Sequence, residues 1–206
     1  MNHFYEVKNC SSVEQLLSLA RNLGEITHHP NGELYDIICA NDGSNARTGS
    51  FSHNFGFQSF PLHTDTAFWD IPARFLLMWS PKASAVPTTF IPWTRLLDFI
   101  PESKIRVIND AIFTVHTYES VKYCSLKFKF DGRQGFRFDP NIMKPANKHA
   151  IEFCKIYNDF FQSEDLNEFS WLGCSALILD NWHVLHGRGH VATPNENRKI
   201  FRVYVR

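Results

Sequence analysis

The chain of 206 residues predicts a mainly β fold, a barrel or jelly roll with helices packed outside it. Three observations carry this reading. Short β-prone runs outnumber the helical patterns along the chain. Asp131-Gly132 sits between two such runs, where a tight hairpin turn belongs. Hydrophobic residues make up 44% against 20% charged, enough for a packed core and too apolar for a disordered chain.

In chain order, residues 11–23 read as a helix. Ser12 with Gln15 makes a capping box, Val13, Leu16, Leu17, Leu19 and Ala20 form one stripe, and Gly24 ends it. Residues 41–59 are rich in Gly, Ser and Asn without periodicity. That makes a long loop, the kind that is usually functional in a compact domain. Arg74–Trp79 is nearly all apolar, as a strand covered on both faces should be, and 88–91 is short and β-prone. Runs at 111–117, 124–130 and 136–139 follow, the middle one alternating through Leu126, Phe128 and Phe130. Residues 96–110 and 145–161 carry helical stripes, the second with Pro145 at its first position. Strands at 176–180 and 200–205 close the chain. No repeat or linker breaks the sequence, so residues 1–206 are expected to form a single domain.

Lys and Arg number 21, as do Asp and Glu, so bulk charge gives no handle on nucleic acid or on an anionic membrane. No apolar stretch is long enough to span a membrane, and the first residues lack the basic head and apolar run of a signal peptide. The five cysteines form no C-x-x-C pair, which argues against a zinc ribbon or disulfide framework and for free thiols in a cytoplasmic protein.

The chemistry is concentrated in two places. His63-Thr64-Asp65 puts an imidazole and a carboxylate two residues apart, a spacing that faces one side of a strand. Much later, Asn181-Trp182-His183-Val184-Leu185-His186-Gly187-Arg188 follows an apolar strand and offers further imidazoles, His183, His186 and then His190. Two His and one carboxylate can hold Fe(II) and leave positions open for oxygen chemistry.

The order of these parts resembles the TauD/TfdA-like Fe(II)/2-oxoglutarate-dependent dioxygenases, the superfamily of taurine dioxygenase and the carnitine-pathway hydroxylases. The residues that carry the resemblance are Phe60-Pro61-Leu62-His63-Thr64-Asp65-Thr66-Ala67-Phe68, Arg74-Phe75-Leu76-Leu77, the block from Leu179 to Arg188, and Arg198-Lys199-Ile200-Phe201-Arg202. The resemblance implies a double-stranded β-helix, cupin-like, with flanking helices. It implies His63, Asp65 and His186 as iron ligands, His186 being chosen over His183 and His190 by its Leu-His-Gly-Arg context. It implies Arg198, about a dozen residues after His186, as the group that grips the distal carboxylate of 2-oxoglutarate, with Thr88 or its neighbour Thr89 beside it. Phe68 and Trp69 fall where the family lines its substrate pocket, though core packing would explain them equally well. Arg202 falls where taurine dioxygenase grips an anionic substrate, with a place on the outside of an edge strand as the alternative. Asn45, Arg47 and Ser59 of the long loop would border the site.

The implied activity uses Fe(II), 2-oxoglutarate and O2 to hydroxylate an unactivated C–H bond of a small-molecule substrate, releasing succinate and CO2. Desaturation and cyclisation are related outcomes. Because Asp65 is present, no position is left for the halide of halogenating members. The first ligand comes earlier in this chain than in the family, which predicts an open pocket mouth or one closed by a partner subunit. An open mouth would admit a bulky or carrier-protein-bound substrate, and closure by a partner subunit would make the protein a homo-oligomer. The competing readings are a non-enzymatic cupin-like binding module and a metal-dependent oxygenase that does not use 2-oxoglutarate.

Overall fold

A computed structural model describes residues 3–29, 31–116, 121–192 and 198–206. Its first strand, β1 (Phe4–Lys8), leads into helix α1 (Val13–Leu23). Ser12 caps α1 by accepting from the Gln15 N–H, and the Gln15 side chain reaches back to the Ser11 N–H, so two orphan donors of the first turn are satisfied. Short strands β2 (Ile26–Thr27) and β3 (Asp36–Cys39) follow. The segment expected to be a plain loop contains one short helix, α2 (Phe51–Phe55), capped by Ser50. Next come β4 (Phe60–His63), β5 (Phe75–Trp79) and β6 (Ser84–Pro92).

The helix expected over 96–110 is broken. Pro101 fixes its own φ and pushes Ile100 out of the helical region, to ψ 120°. The result is α3 (Trp93–Phe99), a 3-10 turn and α4 (Arg106–Asp110).

Strands β7 (Ile112–His116) and β8 (Val121–Ser125) form a hairpin whose connection lies outside the described residues, as does Thr117 of the expected 111–117 run. The run expected over 124–130 divides at buried Leu126 into the end of β8 and a new strand, β9 (Lys127–Phe130), which pairs with β10 (Arg133–Phe136). Asp131 and Gly132 both have positive φ, 47° and 70°, as a two-residue hairpin turn requires. Residues 137–139, expected in a strand, instead run beside the His63–Asp65 segment. Pro145 ends a strand, β11 (Met143–Pro145), rather than starting a helix; Asn147 caps α5 (Lys148–Ser163) through the Ala150 N–H. The chain closes with β12 (Asn167–Trp171), β13 (Ser175–Asp180), β14 (Val184–Arg188) and β15 (Lys199–Val205).

All recorded pairings are antiparallel. One sheet runs β1-β13-β5-β15-β2, with β3 also on β15; the other runs β12-β6-β14-β4. The two sandwich a core built from Leu76, Met78, Leu177 and Leu179 on one side and Phe90, Trp171 and Val184 on the other. Alternation does the rest: Leu77, Trp79, Ala176 and Ile178 point the opposite way, onto α1. Ile91 and Leu185 of the smaller sheet face a separate core under α3, α4 and α5. The central strands β5 and β13 are covered on both faces, which is why these segments read as continuous apolar runs. This is a jelly roll with helices outside.

Candidate active site

His63 is the last residue of β4 and lies directly opposite His186 of β14 in the sheet register, their rings 4.5 Å apart. Gly187, the next residue, makes this approach possible. A Cβ there would lie 2.6 Å from the Phe60 carbonyl oxygen and 3.0 Å from Thr89 Oγ1.

Asp65 follows β4, so it is held by other means than a sheet ladder. Thr64 donates its N–H to the Phe138 carbonyl at 2.7 Å and accepts the Phe138 N–H on Oγ1 at 3.2 Å. Asn181, fully buried in the β13–β14 turn, accepts the Asp65 N–H at 3.0 Å and donates Nδ2 to the Asp65 carbonyl at 3.0 Å and the Ala73 carbonyl at 2.9 Å. Thr66 then adopts φ 56°, a strained value for a β-branched residue. Its hydroxyl accepts the Ala73 N–H at 2.8 Å. The chain turns away from the cavity at this point.

The three side chains converge. One ligand atom from each of His63, Asp65 and His186 lies within 4.8 Å of the others, and all three residues are buried. His63 Nδ1 lies 3.0 Å from the Pro61 carbonyl, to which it donates, and Nε2 faces Asp65 Oδ1 at 3.5 Å. His186 Nε2 is 3.7 Å from Asp65 Oδ2, beyond hydrogen-bond reach, and its Nδ1 has no partner among the described residues. A buried imidazole with neither nitrogen satisfied is costly unless a further group binds it. The donor set therefore fits a divalent metal ion of the Fe(II) type.

Electrostatics agree. Burial would raise the Asp65 carboxyl, but the Arg202 guanidinium and the two imidazoles outweigh it and hold Asp65 well below the usual carboxylate range. Burial and the nearby His63 push His186 down, which keeps it a neutral donor. Asp65 Oδ2 accepts from Arg202 Nη1 at 2.9 Å and from the Tyr204 hydroxyl at 3.2 Å.

The triad opens into a cavity of about 350 Å³. Thr88 and Arg198 line it, both buried, with Arg198 Nη2 donating to Thr88 Oγ1 at 3.3 Å. Trp171 Nε1 donates to the same oxygen at 3.1 Å. Thr89 faces the other way, against Gly187. Arg202 also lines the cavity.

Phe68 and Trp69 do not. Beyond the Thr66 turn, Phe68 packs on the helix-side core and Trp69 on the inter-sheet core, edge to face with Tyr204 at 5.7 Å. The expectation that they wall the pocket is corrected. Among the loop residues Asn41, Ser50, Phe51 and Ser52 reach the cavity, and Asn45, Arg47 and Ser59 are not among its lining. Phe51 sits on the His63 ring at 4.2 Å between centroids. Arg188 fastens this loop: its guanidinium lies 3.6 Å over Phe60 and donates to the carbonyls of Gly56 and Gln58 at 2.6 and 2.5 Å.

His183 turns away from the triad. Its Nδ1 and that of His3 lie 3.0 and 3.5 Å from Asp180 Oδ2, which also accepts from Arg74 at 3.0 Å. The two imidazoles stack at 4.8 Å with planes 18° apart, and His3, Asp180 and His183 form a second, less buried group whose ligand atoms lie within 4.8 Å of one another. His190 is exposed.

Sequence reasoning missed Asn181, Tyr204, Asp36 and Phe51. Asn181 stood inside the recognised block, and Tyr204 falls on the same strand face as Arg202 by its spacing. Asp36 lay in a stretch with no clear pattern, and nothing marked Phe51 beyond its place in the long loop.

No protein-family model matches the sequence, and no curated protein is significantly similar to it. Solved structures are. Asparagine oxygenase in complex with Fe(II), hydroxyasparagine and succinate superposes with a TM-score of 0.77 at 17% identity, over 93% of this chain and 63% of that one. PvcB from Pseudomonas aeruginosa gives 0.71 at 19% identity, over 98% of this chain and 75% of that one; it is described as an Fe, alpha-ketoglutarate dependent oxygenase from an isonitrile synthetic pathway. The non-heme iron oxygenase OrfP, bound to Fe and alpha-ketoglutaric acid, gives 0.69 at 17% identity, over 93% of this chain and 63% of that one. The chain thus spans under two thirds of the length of asparagine oxygenase and OrfP. What it shares with these Fe- and 2-oxoglutarate-dependent oxygenases is their jelly-roll fold.

Proposed function

We propose that the protein is an Fe(II)- and 2-oxoglutarate-dependent dioxygenase of the TauD/TfdA-like type, which hydroxylates an unactivated C–H bond of a small-molecule substrate. The observation that carries this reading is the buried triad of His63, Asp65 and His186 opening onto a cavity whose wall holds Arg198 against Thr88. Its solved neighbours were crystallised with Fe and with alpha-ketoglutarate or succinate, which supports the same reading.

When bound, Fe(II) with 2-oxoglutarate and O2 supplies the oxidising chemistry, ending in succinate, CO2 and an oxygenated substrate. The chain contributes geometry and electrostatics. His63 and His186 would present ring nitrogens to the metal, and Asp65 a charge that Arg202 and Tyr204 orient. Arg198 offers a planar fork to the distal carboxylate of 2-oxoglutarate, and Thr88 steadies it. Phe51, Phe60 and Met78 supply apolar surface to the cavity wall beside the polar groups.

A binding module would need neither the triad nor Arg198, and an oxygenase without 2-oxoglutarate would need only the triad. Anaerobic protein given Fe(II) and 2-oxoglutarate is expected to show the weak visible charge-transfer band of the chelate. The band should disappear in Asp65→Ala and His186→Ala with circular dichroism unchanged. Its absence from the wild type, or its survival in both variants, refutes the reading.

A further inference from the structure

A second cavity, of about 290 Å³, lies between β8 and Asp70 and shares no lining residue with the first. Its wall is made by Asp70, Lys122, Tyr123, Cys124, Ser125 and Arg137. Arg137 is only 5% exposed, yet it forms no ion pair with a carboxylate among the described residues. Dipoles alone meet its guanidinium. Nη1 donates to the carbonyls of Ala67 and Trp69 at 3.3 and 2.6 Å, Nη2 donates to the Asp70 carbonyl at 2.8 Å, and the Phe128 ring centre lies 4.6 Å from the guanidinium carbon. Such partners solvate a buried charge without cancelling it. The second cation, Lys122, pairs at 2.6 Å with Asp70, whose side chain is 94% exposed. A pair that open to water is worth little and opens readily. Both cations act on the Cys124 thiol, which burial pushes up while Arg137 and Lys122 pull it down. Burial also pulls the Arg137 guanidinium below its ordinary value, the direction expected of a charge without a countercharge.

We infer that this second cavity binds a phosphate-type dianion between the Lys122 ammonium and the Arg137 guanidinium, at a place separate from the 2-oxoglutarate pocket. The charge fits: two cations face the cavity, and the one carboxylate on its wall can swing out into water. A cleft with low-dielectric walls and cations of one sign concentrates the field that draws an anion in. The shape of the donors favours a tetrahedral oxyanion. Arg137 has no free fork for a planar carboxylate, because its two terminal nitrogens already serve three carbonyls. What remains is single-point contact from Arg137 and a rotatable point charge from Lys122, which suits oxygens that point in several directions. Tyr123, 74% exposed, adds a ring on which an organic portion of the ligand could rest.

The test titrates inorganic phosphate and phenyl phosphate against the full chain at constant ionic strength in chloride, with binding read by phosphorus NMR and folding by circular dichroism. Wild type is expected to bind phosphate saturably, with sulfate competing and acetate not. Lys122→Met should weaken binding by about tenfold, the loss of one charge-assisted contact, and Lys122→Arg should restore most of it. Asp70→Asn should tighten binding, because Lys122 is released from its present partner. Arg198→Ala should leave phosphate affinity within about twofold, since that guanidinium lines the other cavity. Tighter binding of phenyl phosphate, with the gain lost in Tyr123→Ala, identifies a phosphomonoester as the ligand; equal binding identifies the free ion. No saturable binding to wild type, equal competition by acetate, unchanged affinity in Lys122→Met, or loss of binding in Arg198→Ala overturns the inference. The titration needs neither iron nor 2-oxoglutarate, so its failure is distinct from failure of the oxygenase reading, which would show as a missing charge-transfer band.

Discussion

Asn181 brackets Asp65: its one amide side chain takes the Asp65 N–H and gives to the Asp65 carbonyl, both at 3.0 Å, although 116 residues separate them. Asn181 also opens the turn into β14, the strand that carries His186. A single buried side chain thus ties the segment of His63 and Asp65 to the start of the strand that carries His186.

Replacing Asn181 with Ala should loosen that tie. Two hydrogen-bonding groups of Asp65 would be left buried and unsatisfied, costing about 2 kcal/mol or more of stability. Metal affinity should fall by roughly 10–100-fold, the usual effect of removing a group that orients a ligand. Thermal melts of the metal-free protein and Co(II) titrations measure the two effects separately. Unchanged Co(II) affinity would mean that Asp65 is oriented by Arg202 and Tyr204 alone.

Arg198→Ala should weaken 2-oxoglutarate binding by about 2–3 kcal/mol, the worth of a charge-assisted pair, while leaving metal affinity within a few-fold. Arg198→Lys should recover part of the loss, since a point charge replaces a planar fork. Thr88→Val should cost less than Arg198→Ala. Titration of 2-oxoglutarate against the metal-loaded protein checks all three, and an unaltered affinity in Arg198→Ala would move the role to another residue.

Asp139 predicts a pH dependence of stability. Burial pushes its carboxyl up to about 6, with His63 and the backbone N–H groups of Asn141 and Ile142 pulling the other way. The folded-state pKa is above the unfolded one, so the folded state holds the proton more tightly. That contribution is present in full below about pH 4 and is lost as pH rises through about 6. Asp139→Asn keeps the acceptor for Asn141 and Ile142 and should stabilise the protein at pH 8 by on the order of 1–3 kcal/mol. Denaturant melts at pH 4 and pH 8 should show a clearly larger gain at the higher pH.

Gly187→Ala should disturb the meeting of β4 and β14, because its Cβ would meet the Phe60 carbonyl oxygen at 2.6 Å. Backbone cannot yield as a flexible side chain would, so a loss of about 1–3 kcal/mol is expected. Because the strain falls next to His186, metal affinity should drop with it. A melt unchanged from wild type would show that β4 shifts freely.

Much of the sandwich was legible because its strands are apolar on both faces and so stand out: β5, β13 and β15 were readable within a residue or two of their observed bounds. Strands such as β3 and β4 were not, because they are short and take their conformation from the partner they pair with. Local rules also competed. Pro145 suggested a helix start, but Asn147 provides the cap, and the stripe across 96–110 hid the break that Pro101 imposes. At the site, His63, Asp65, Thr88, His186 and Arg198, singled out by motif and order, all line one cavity. Phe68 and Trp69 were misplaced, because the positive φ of Thr66 that turns them into the core leaves no mark in composition. Arg202 donates to Asp36 as well as to Asp65, at 3.0 and 2.9 Å, through a pairing of β3 with β15 that no local pattern predicts.

The most direct test of the whole account is 2-oxoglutarate turnover under air. Wild-type protein given Fe(II) should convert 2-oxoglutarate to succinate, slowly alone and faster with a suitable substrate, and the conversion should stop in Asp65→Ala and His186→Ala. Succinate formed equally by wild type and both folded variants, or by none of them at any substrate in a broad panel of small molecules, would contradict it.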